Sequence, residues 1–371
     1  VELGGGLVTM LAVVNFALQL AVLGAANLEY SRHARAVHVS PLRWMWHSLT
    51  AWITPSLKTQ TPPRPPKPSP SASTTEGSPW QPSAGKSRWG DDCNFIFLDI
   101  GSNRGVTVRK LFEPRSYPME GFDWRENRLS FLNKKRADHK PAIDLFNELF
   151  PPEEERARTN FAGICVFGFE PNFHHTARLK ALERCYAARG WRVHWFTETA
   201  VSDANGYAKL QLGRRGERVQ EALHIGASIV SEVHYKERSN LSPSVQTIDL
   251  AKWVNVHIKQ RRKRPGPSAV YAKLDIEGAE WTTLAHMLAH GALCDGIDFM
   301  SLEWHEWSSR SPSSPLTLND TVAFRQGLPA LLKALPAHSC NATQLRAFQD
   351  DSYLRDTKKQ TVCDADGPLP A

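Results

Sequence analysis

The chain has 371 residues, of which 41% are hydrophobic and 22% are charged, a composition that supports one large folded domain with additional segments. Its formal net charge is +7, and residues 1–87 hold seven Lys/Arg against three acidic residues, so the rest of the chain is only slightly basic. This balance excludes a strongly basic face for nucleic acid, and we expect no nucleic-acid partner.

Residues 7–28, LVTMLAVVNFALQLAVLGAANL, carry no charged side chain. A helix of about 20 residues crosses a hydrocarbon core of about 30 Å. A cleaved signal peptide ending near LGAA and a buried helix are alternatives, but the apolar core of a signal peptide is usually only about 7–15 residues long. We therefore expect residues 1–30 to be a transmembrane signal-anchor, in contact with the membrane through residues 7–28.

The orientation of this segment is left open by the residues around it. Arg32, Arg35 and Arg43 follow the apolar stretch, and positive side chains usually stay on the cytosolic side of a membrane. The chain begins at Val1 rather than Met, so we expect upstream residues that would also bear on the orientation.

Two further segments precede the folded part. Residues 31–53 form a Trp-rich juxtamembrane segment, and residues 54–90 are rich in Pro, Ser and Thr and are predicted to be a disordered stalk. An anchor, a stalk and a folded domain, here residues 91–371, is the layout of many Golgi enzymes. By this analogy we expect a Golgi or other secretory-pathway membrane, with the folded domain in the lumen.

The six cysteines show no CxxC pair and no Cys/His ligand spacing, so no zinc site is expected, and the sequence allows but does not require a divalent ion held by acidic residues, so no metal site is predicted. Cys340 and Cys363 flank a polar C-terminal segment and are expected to pair in an oxidising compartment. Cys165 lies in an apolar run and is expected to be a small buried hydrophobic residue. A secretory lumen is also favoured by the three N-glycosylation sequons, which begin at Asn240, Asn319 and Asn341.

From residue 93 onward, apolar runs alternate with amphipathic stretches. Strands are predicted at 94–100, 164–170, 191–196, 271–276 and 297–304, and helices at 105–112, 174–190, 249–258 and 278–291. This alternation predicts an α/β fold with a parallel sheet, helices on both faces and a ligand site at the carboxyl ends of the strands. Residues 113–162 are expected to be an insertion that either caps this site or decorates the surface.

The segment FLDIGSNRG, residues 97–105, connects the first predicted strand to the first helix. It holds Asp99, two glycines at Gly101 and Gly105, and polar Ser102 and Asn103 between them. A loop in this position turns backbone N–H groups and a helix N-terminus toward a ligand. It lacks the GxGxxG of a dinucleotide loop, and its side-chain carboxylate suits a ligand with an amino group, such as the methionine end of S-adenosylmethionine.

Carboxylates also end three other predicted strands. Glu170, in FGFEPN, could accept hydrogen bonds from two ribose hydroxyls. Asp275, in KLDIEGAEW, is costly to pack unless it faces a polar cleft. SLEWHEW places Glu303 and His305 on one side of the fifth strand by the period of two, and a histidine there could act as a general base.

The segments FLDIGSNRG, FGFEPN, TAVSDANGYAKL and KLDIEGAEW, in this order, resemble the FkbM-type S-adenosylmethionine-dependent methyltransferases over about residues 94–305. The resemblance implies a Rossmann-like class I methyltransferase fold, with a mostly parallel seven-stranded sheet whose last strand is antiparallel. It also implies S-adenosylmethionine as the cofactor and transfer of the methyl group to a hydroxyl, often on a sugar. The acceptor partner is thus expected to be a glycan or a small molecule with a hydroxyl group.

The same resemblance assigns residues to parts of the cofactor. The methionine side is expected to contact Asp99, Gly101, Ser102, Asn103 and Gly105. The ribose is expected to contact Glu170, followed by Pro171 and Asn172. A turn at 199–203 that includes Ala200 is expected near the adenine, and Asp275 is expected to approach the methyl group.

For the chemistry, the sequence leaves three candidate general bases open, namely Asp275, Glu303 and His305. It also leaves two other functions open. A lumenal glycosyltransferase would fit the anchor, stalk and sequons, but the DAD at 364–366 lies in a Pro/Gly-rich tail rather than after a strand. A non-catalytic domain that binds a nucleotide or glycan is opposed by the presence of Asp99, Glu170 and Asp275.

Overall fold

The computed structural model describes residues 88–116, 142–212, 227–230, 243–305, 317–335, 340–347 and 363. The predicted anchor at 1–30, the Trp-rich segment at 31–53 and all but the end of the predicted stalk lie outside these ranges. Among the described helices, none has the length and apolar character needed to cross a membrane.

Strands and helices alternate along the described part of the chain. The strands are β1 (Phe95–Ile100), β2 (Ile164–Glu170), β3 (Arg192–Thr197), β4 (Thr199–Ser202), β5 (Gly206–Lys209), β6 (Ser244–Asp249), β7 (Ala269–Leu274), β8 (Phe299–Leu302) and β9 (Gln344–Leu345). The α-helices are α1 (Val106–Phe112), α2 (Ala142–Leu149), α3 (Glu153–Arg158), α4 (Thr176–Ala188), α5 (Leu250–Trp253), α6 (Glu280–Ala289) and α7 (Leu318–Ala334). These bounds confirm the five predicted strands and the predicted helices, with shifts of a few residues at their ends.

The central sheet has six strands in the order β3-β2-β1-β7-β8-β9, and each neighbouring pair is parallel. The order runs outward from β1 in one direction and from β7 in the other, which is the Rossmann-like arrangement. A sheet of seven strands with an antiparallel last strand was expected. The described strands form a six-stranded central sheet instead, and its edge strand β9 pairs parallel to β8.

The central strands are buried along their length, and their successive side chains point to opposite faces of the sheet. In β1, Ile96, Leu98 and Ile100 belong to one hydrophobic cluster, while Phe97 belongs to the cluster on the other face. Every residue of β7 is buried. A strand covered on both faces reads as a continuous apolar run, which is why its sequence indicates a parallel sheet between two helix layers.

The described part of the predicted insertion at 113–162 joins the core. Phe146 of α2 packs edge-on against Phe97 at 5.0 Å between ring centroids and contacts Tyr271 of β7. The fully buried Arg156 of α3 donates hydrogen bonds to the carbonyls of Phe146 and Pro151. Helix α2 therefore packs on a face of the sheet and α3 packs against α2, while residues 117–141 lie outside the described part.

A second, smaller sheet has three strands in the order β4-β6-β5. The segment at 199–203, expected to be a turn, forms β4 and pairs parallel to β6, with Ala200 opposite Thr247. The predicted helix at 249–258 is divided into α5 and a π-helical segment, Val254–Lys259. Strand β6 was not predicted from the sequence, and its pairing partners in β4 and β5 lie 35–47 positions away along the chain.

The six cysteines form three disulfides, Cys93–Cys165, Cys185–Cys363 and Cys294–Cys340. The predicted Cys340–Cys363 pair is therefore wrong, and Cys165 is buried as expected but is bonded to Cys93. The adjacent parallel strands β1 and β2 bring Cys93, just before β1, beside Cys165. The sequence could not show this proximity, because the two residues are 72 positions apart.

Peptide mapping of the non-reduced protein tests the disulfide pattern. We expect cross-linked peptides that contain the three pairs seen in the structure, and no reaction with a thiol reagent before reduction. A peptide that joins Cys340 to Cys363 would contradict the structure and restore the interpretation made from the sequence.

Gly168 of β2 offers a test of the sheet packing. A Cβ atom at this position would lie 2.1 Å from Trp195 Cδ1 and 2.5 Å from Ser102 Oγ. We expect Gly168→Ala to lower the free energy of unfolding by about 1–3 kcal/mol, because overpacking forces neighbouring groups to move. Urea unfolding followed by circular dichroism measures this change.

Gly327 of α7 supplies the matched control, because a Cβ atom there has no neighbour within 4 Å. Gly327→Ala is expected to raise the free energy of unfolding by up to about 1 kcal/mol, since alanine has the higher helix propensity. Equal effects of the two substitutions would contradict the packing described for Gly168.

Candidate functional site

A pocket opens at the carboxyl ends of the central strands, near the point where the strand order changes direction between β1 and β7. In open α/β sheets, ligands bind at this position. The residues predicted from the sequence that line it are Gly101, Asn103, Glu170, Pro171, Ala200 and Asp275. The fold thus brings together residues that are up to 174 positions apart in the sequence.

Gly101 allows the β1 loop to lie directly against the end of β7. Its φ is +82°, and a Cβ atom on it would be 1.7 Å from the carbonyl oxygen of Asp275. Lys273 Nζ donates to the Gly101 carbonyl at 3.1 Å and lies 3.0 Å from Asp275 Oδ2. The glycine is therefore required first for contact between two chain segments, and only then for the approach of a ligand.

Glu170 connects the two loops that border the pocket. One of its carboxylate oxygens accepts from the Asn103 N–H at 2.5 Å, and the other accepts from the Asn172 N–H at 2.8 Å. Burial raises the pKa of Glu170 to about 8, although these N–H groups and the nearby Lys273 lower it in part. A carboxylate has lone pairs for about four hydrogen bonds, so Glu170 can accept two more.

Four other predicted residues lie beside the pocket rather than on its wall. Asp99 is fully buried in β1, in register with Gly168 and Lys273 of the flanking strands. Ser102 Oγ donates to the Asp99 carbonyl at 2.7 Å. Gly105, with φ +75°, precedes α1.

The fourth, Asn172, caps the turn after Glu170. Its side-chain oxygen accepts from the His174 N–H at 3.1 Å, and its own N–H contacts Glu170. These four residues shape the loops, and Asn103 and Glu170 are the polar groups that these loops hold at the pocket wall.

A second group of polar side chains lies where β7 and β8 end. Asp275, Glu303 and His305 each offer a ligand atom, and these atoms all lie within 4.8 Å of one another. The sequence placed Glu303 and His305 on one side of a strand, but β8 ends at Leu302 and both follow it. They still lie close, with His305 Nε2 3.9 Å from Glu303 Oε1.

His305 is surrounded by carboxylates. Its Nδ1 lies 2.8 Å from Glu280 Oε1, and its Nε2 lies 3.5 Å from Glu277 Oε2 and 3.9 Å from Asp275 Oδ1. Burial alone would lower the pKa of His305, but Glu280, Glu277 and Asp275 raise it well above 6.5. The carboxylates around His305 therefore favour its protonated form, and its role as a general base stays a prediction.

Glu280 fixes the geometry of this corner. It is fully buried in the first turn of α6, and its two oxygens accept from the N–H groups of Ile276 and Gly278 at 2.9 Å each. The first-turn position predicts a favourable contact with the helix dipole. The contact with His305 could not be predicted, because the two residues are 25 positions apart and meet only when β7 and β8 pair.

Two further carboxylates have raised pKa values. Proximity to Asp275 and burial raise the pKa of Glu303 to about 8, although its side chain is half-exposed. Burial raises the pKa of Glu277 to about 7, with a further contribution from Asp275 and an opposing one from His305. The mouth of the pocket thus holds more carboxyl groups than cationic side chains. Ionising all of these carboxyl groups together costs free energy, because like charges repel one another.

Sequence reasoning missed most of the apolar wall of the pocket. This wall is formed by Phe169, Val201, Ala227, Ile229 and Ile276. Their only signal was membership of apolar runs, which indicates a core as readily as a ligand surface. Ala227 and Ile229 lie outside the strands of both sheets, where no periodicity could have identified them.

Comparison of the chain with protein-family models, with curated proteins and with solved structures finds no match. The site and the sequence motifs are therefore the basis for assigning a function.

Glu170 gives the free energy of unfolding a testable pH dependence. Its pKa is about 8 in the native state against an ordinary value of 4.5, so the native state holds a proton that the unfolded chain lacks between these pH values. Stability is then largest at low pH and falls as the pH approaches 8, by about 1.4 kcal/mol per pH unit for one whole proton.

We expect urea unfolding to show this loss between pH 6.5 and 8 in the wild type and a smaller loss in Glu170→Gln, which cannot titrate. The lowered pKa values of His257 and His290 and the raised ones of Glu277 and Glu303 also change the slope in this range, but they do so in both proteins, so the difference between the two slopes reports on Glu170. The same slope in both proteins would show that Glu170 is ionised in the native state throughout this range.

Proposed function

We propose that the chain is an S-adenosylmethionine-dependent methyltransferase that O-methylates a hydroxyl of a glycan or other sugar-containing acceptor. The observation that carries this proposal is the position of Glu170. It is a buried carboxylate at the end of β2, held by backbone N–H groups from the glycine loop and from the following turn, at the wall of the pocket. The resemblance of the four motifs to FkbM-type methyltransferases supports the same conclusion.

The residues of the pocket fit each part of this cofactor. Glu170 has acceptor capacity left for two ribose hydroxyls. The side-chain oxygen of Asn103 is buried without a hydrogen-bond donor among the described residues, which suits the amino group of the methionine part. The apolar surface around Ala200 and Val201 suits an adenine ring.

When bound, S-adenosylmethionine supplies a methyl group that its sulfonium centre has already activated for direct displacement. The chain has to bind the acceptor, align its oxygen with the methyl group and remove a proton. Asp275 borders the pocket, and Glu303 lies beside it at the half-exposed mouth. We assign proton removal to the corner that Asp275 and Glu303 form with His305.

The disulfides bear on the compartment. Three cysteine pairs in one chain are characteristic of proteins that mature in an oxidising environment. Together with the apolar segment at 7–28 and the exposed Asn319 and Asn341, they support the proposal of a membrane-anchored enzyme in the secretory pathway with its folded domain in the lumen.

Substitution of Glu170 tests the cofactor site. We expect Glu170→Gln to weaken binding of S-adenosylmethionine by about 10- to 100-fold, because the amide NH2 can accept neither from a backbone N–H nor from a ribose hydroxyl, and a buried donor left without a partner costs about 1–3 kcal/mol. Titration calorimetry on the full chain measures this change. Glu198→Gln is the control, since Glu198 also follows a strand of the same sheet but is exposed and lies outside the pocket wall. Equal affinity in the two variants would contradict the assignment of Glu170.

Transfer itself is tested with S-adenosylmethionine that carries a labelled methyl group and a panel of glycans. We expect label in a product that resists mild base, because a methyl ether is stable to base and a methyl ester is not. Base-labile label would replace the hydroxyl acceptor by a carboxyl acceptor. Absence of transfer to every glycan, combined with no cofactor binding, would overturn the methyltransferase proposal.

A further inference from the structure

We propose that Asp275, Glu303 and His305 bind one divalent cation, and that the cation is of the Mn²⁺ class. Their three ligand atoms lie within 4.8 Å of one another. A cation that lies about 2.1–2.3 Å from each ligand separates two ligands by about 3–4.5 Å, depending on the angle between them. The observed separation of 3.9 Å between His305 Nε2 and each carboxylate partner falls in this range.

The donor set selects among metals. Carboxylates suit Mg²⁺, Ca²⁺ and Mn²⁺, whereas an imidazole suits Zn²⁺, Fe²⁺ and other later first-row ions. Two carboxylates with one imidazole therefore favour Mn²⁺ over a purely oxygen-seeking ion and over an ion that prefers sulfur. The chain offers no sulfur ligand among the described residues, since their cysteines are all in disulfides.

The orientation of His305 is an observation separate from the carboxylates at the mouth. Its Nδ1 is held at 2.8 Å by the fully buried Glu280, which is itself fixed by two backbone N–H groups. A histidine that binds a metal through one ring nitrogen almost always donates from the other to a carboxylate or carbonyl. This arrangement directs Nε2 toward Asp275 and Glu303, which is the geometry that a metal ligand requires.

Lys273 determines which carboxylate oxygen of Asp275 would bind the cation. It lies 3.0 Å from Oδ2 of Asp275, so Oδ1, the oxygen nearer to His305, is the one that faces the proposed cation. With one atom from each of three side chains, positions in the coordination sphere stay open for water and for a ligand oxygen. A site of this kind is typical of metals that act on a substrate rather than of purely structural metals.

This inference rests on the proposed function for its chemical meaning. Asp275 borders the cofactor pocket and Glu303 is half-exposed, so the cation would lie between the cofactor and solvent, where an acceptor hydroxyl arrives. A bound cation lowers the pKa of an oxygen ligand, and it would help an otherwise weak hydroxyl nucleophile to lose its proton. The sequence predicted no metal because the three ligands are separated by 28 and 2 positions, without the spacing of any metal motif.

The test is a Mn²⁺ titration of the untagged full chain, stripped of metal with a chelator, in which electron paramagnetic resonance measures free Mn²⁺. We expect one bound ion per chain in the wild type, with a dissociation constant below about 1 mM. Glu303→Gln and His305→Asn should each weaken binding at least tenfold, because each removes one of three ligands. Thermal unfolding of each variant verifies that it is folded.

His286→Asn is the matched control. His286 lies on α6 and contacts Asp249 at 3.1 Å, so it is also a histidine paired with a carboxylate, but it lies away from the pocket wall. Its substitution should leave Mn²⁺ binding unchanged. Absence of Mn²⁺ binding in the folded wild type would overturn the metal site, as would equal affinity in the wild type and in both ligand variants.

Cofactor binding on the same preparation separates the two proposals. If S-adenosylmethionine binds and Mn²⁺ does not, the metal site is wrong and the methyltransferase proposal stands. If Mn²⁺ binds with the expected loss in the variants and S-adenosylmethionine does not, the metal site is supported and the proposed function fails.

Discussion

The contact between Gly101 and Asp275 is the constraint on which the rest of the site depends. The loop after β1 and the end of β7 approach so closely that the place of a side chain on Gly101 is taken by the Asp275 carbonyl. Lys273 Nζ links the two segments, because it contacts both the Gly101 carbonyl and the Asp275 carboxylate. Because of this contact, Glu170 and Asn103 lie on one side of the pocket and the Asp275 group lies on the other.

The fold could largely be predicted from the sequence, because its strands are buried on both faces and read as continuous apolar runs. Residues 94–100 and 164–170 illustrate this, and the pocket opens at the carboxyl ends of these two strands. The smaller sheet, the disulfide pairs and the parallel edge strand β9 could not be predicted, since each is fixed by pairing between distant segments. Helix α2 lies in the predicted insertion at 113–162, and only the structure shows that it packs in the core.

For the site, the sequence identified residue types better than residue roles. Ser102 and Gly105 were expected to contact a ligand, but they stabilise the loop from behind the pocket wall. His305 was predicted to be a candidate base, but the environment around it was not predicted. Its four carboxylates come from two segments of chain, 275–280 and 303–305, that meet at one corner, and the local pattern around His305 carries no information about the first segment. The same corner explains why a cation is a natural partner for these carboxylates.

The central claim is that the pocket between β1 and β7 binds S-adenosylmethionine. The most direct measurement is calorimetric titration of the full chain at pH 8 with S-adenosylmethionine, NAD and a panel of nucleotide-sugars. We expect micromolar binding of S-adenosylmethionine and no binding of the other ligands. Binding of a nucleotide-sugar instead would contradict the proposed methyltransferase function and favour a glycosyltransferase. A folded chain that binds none of these ligands would favour a non-catalytic domain.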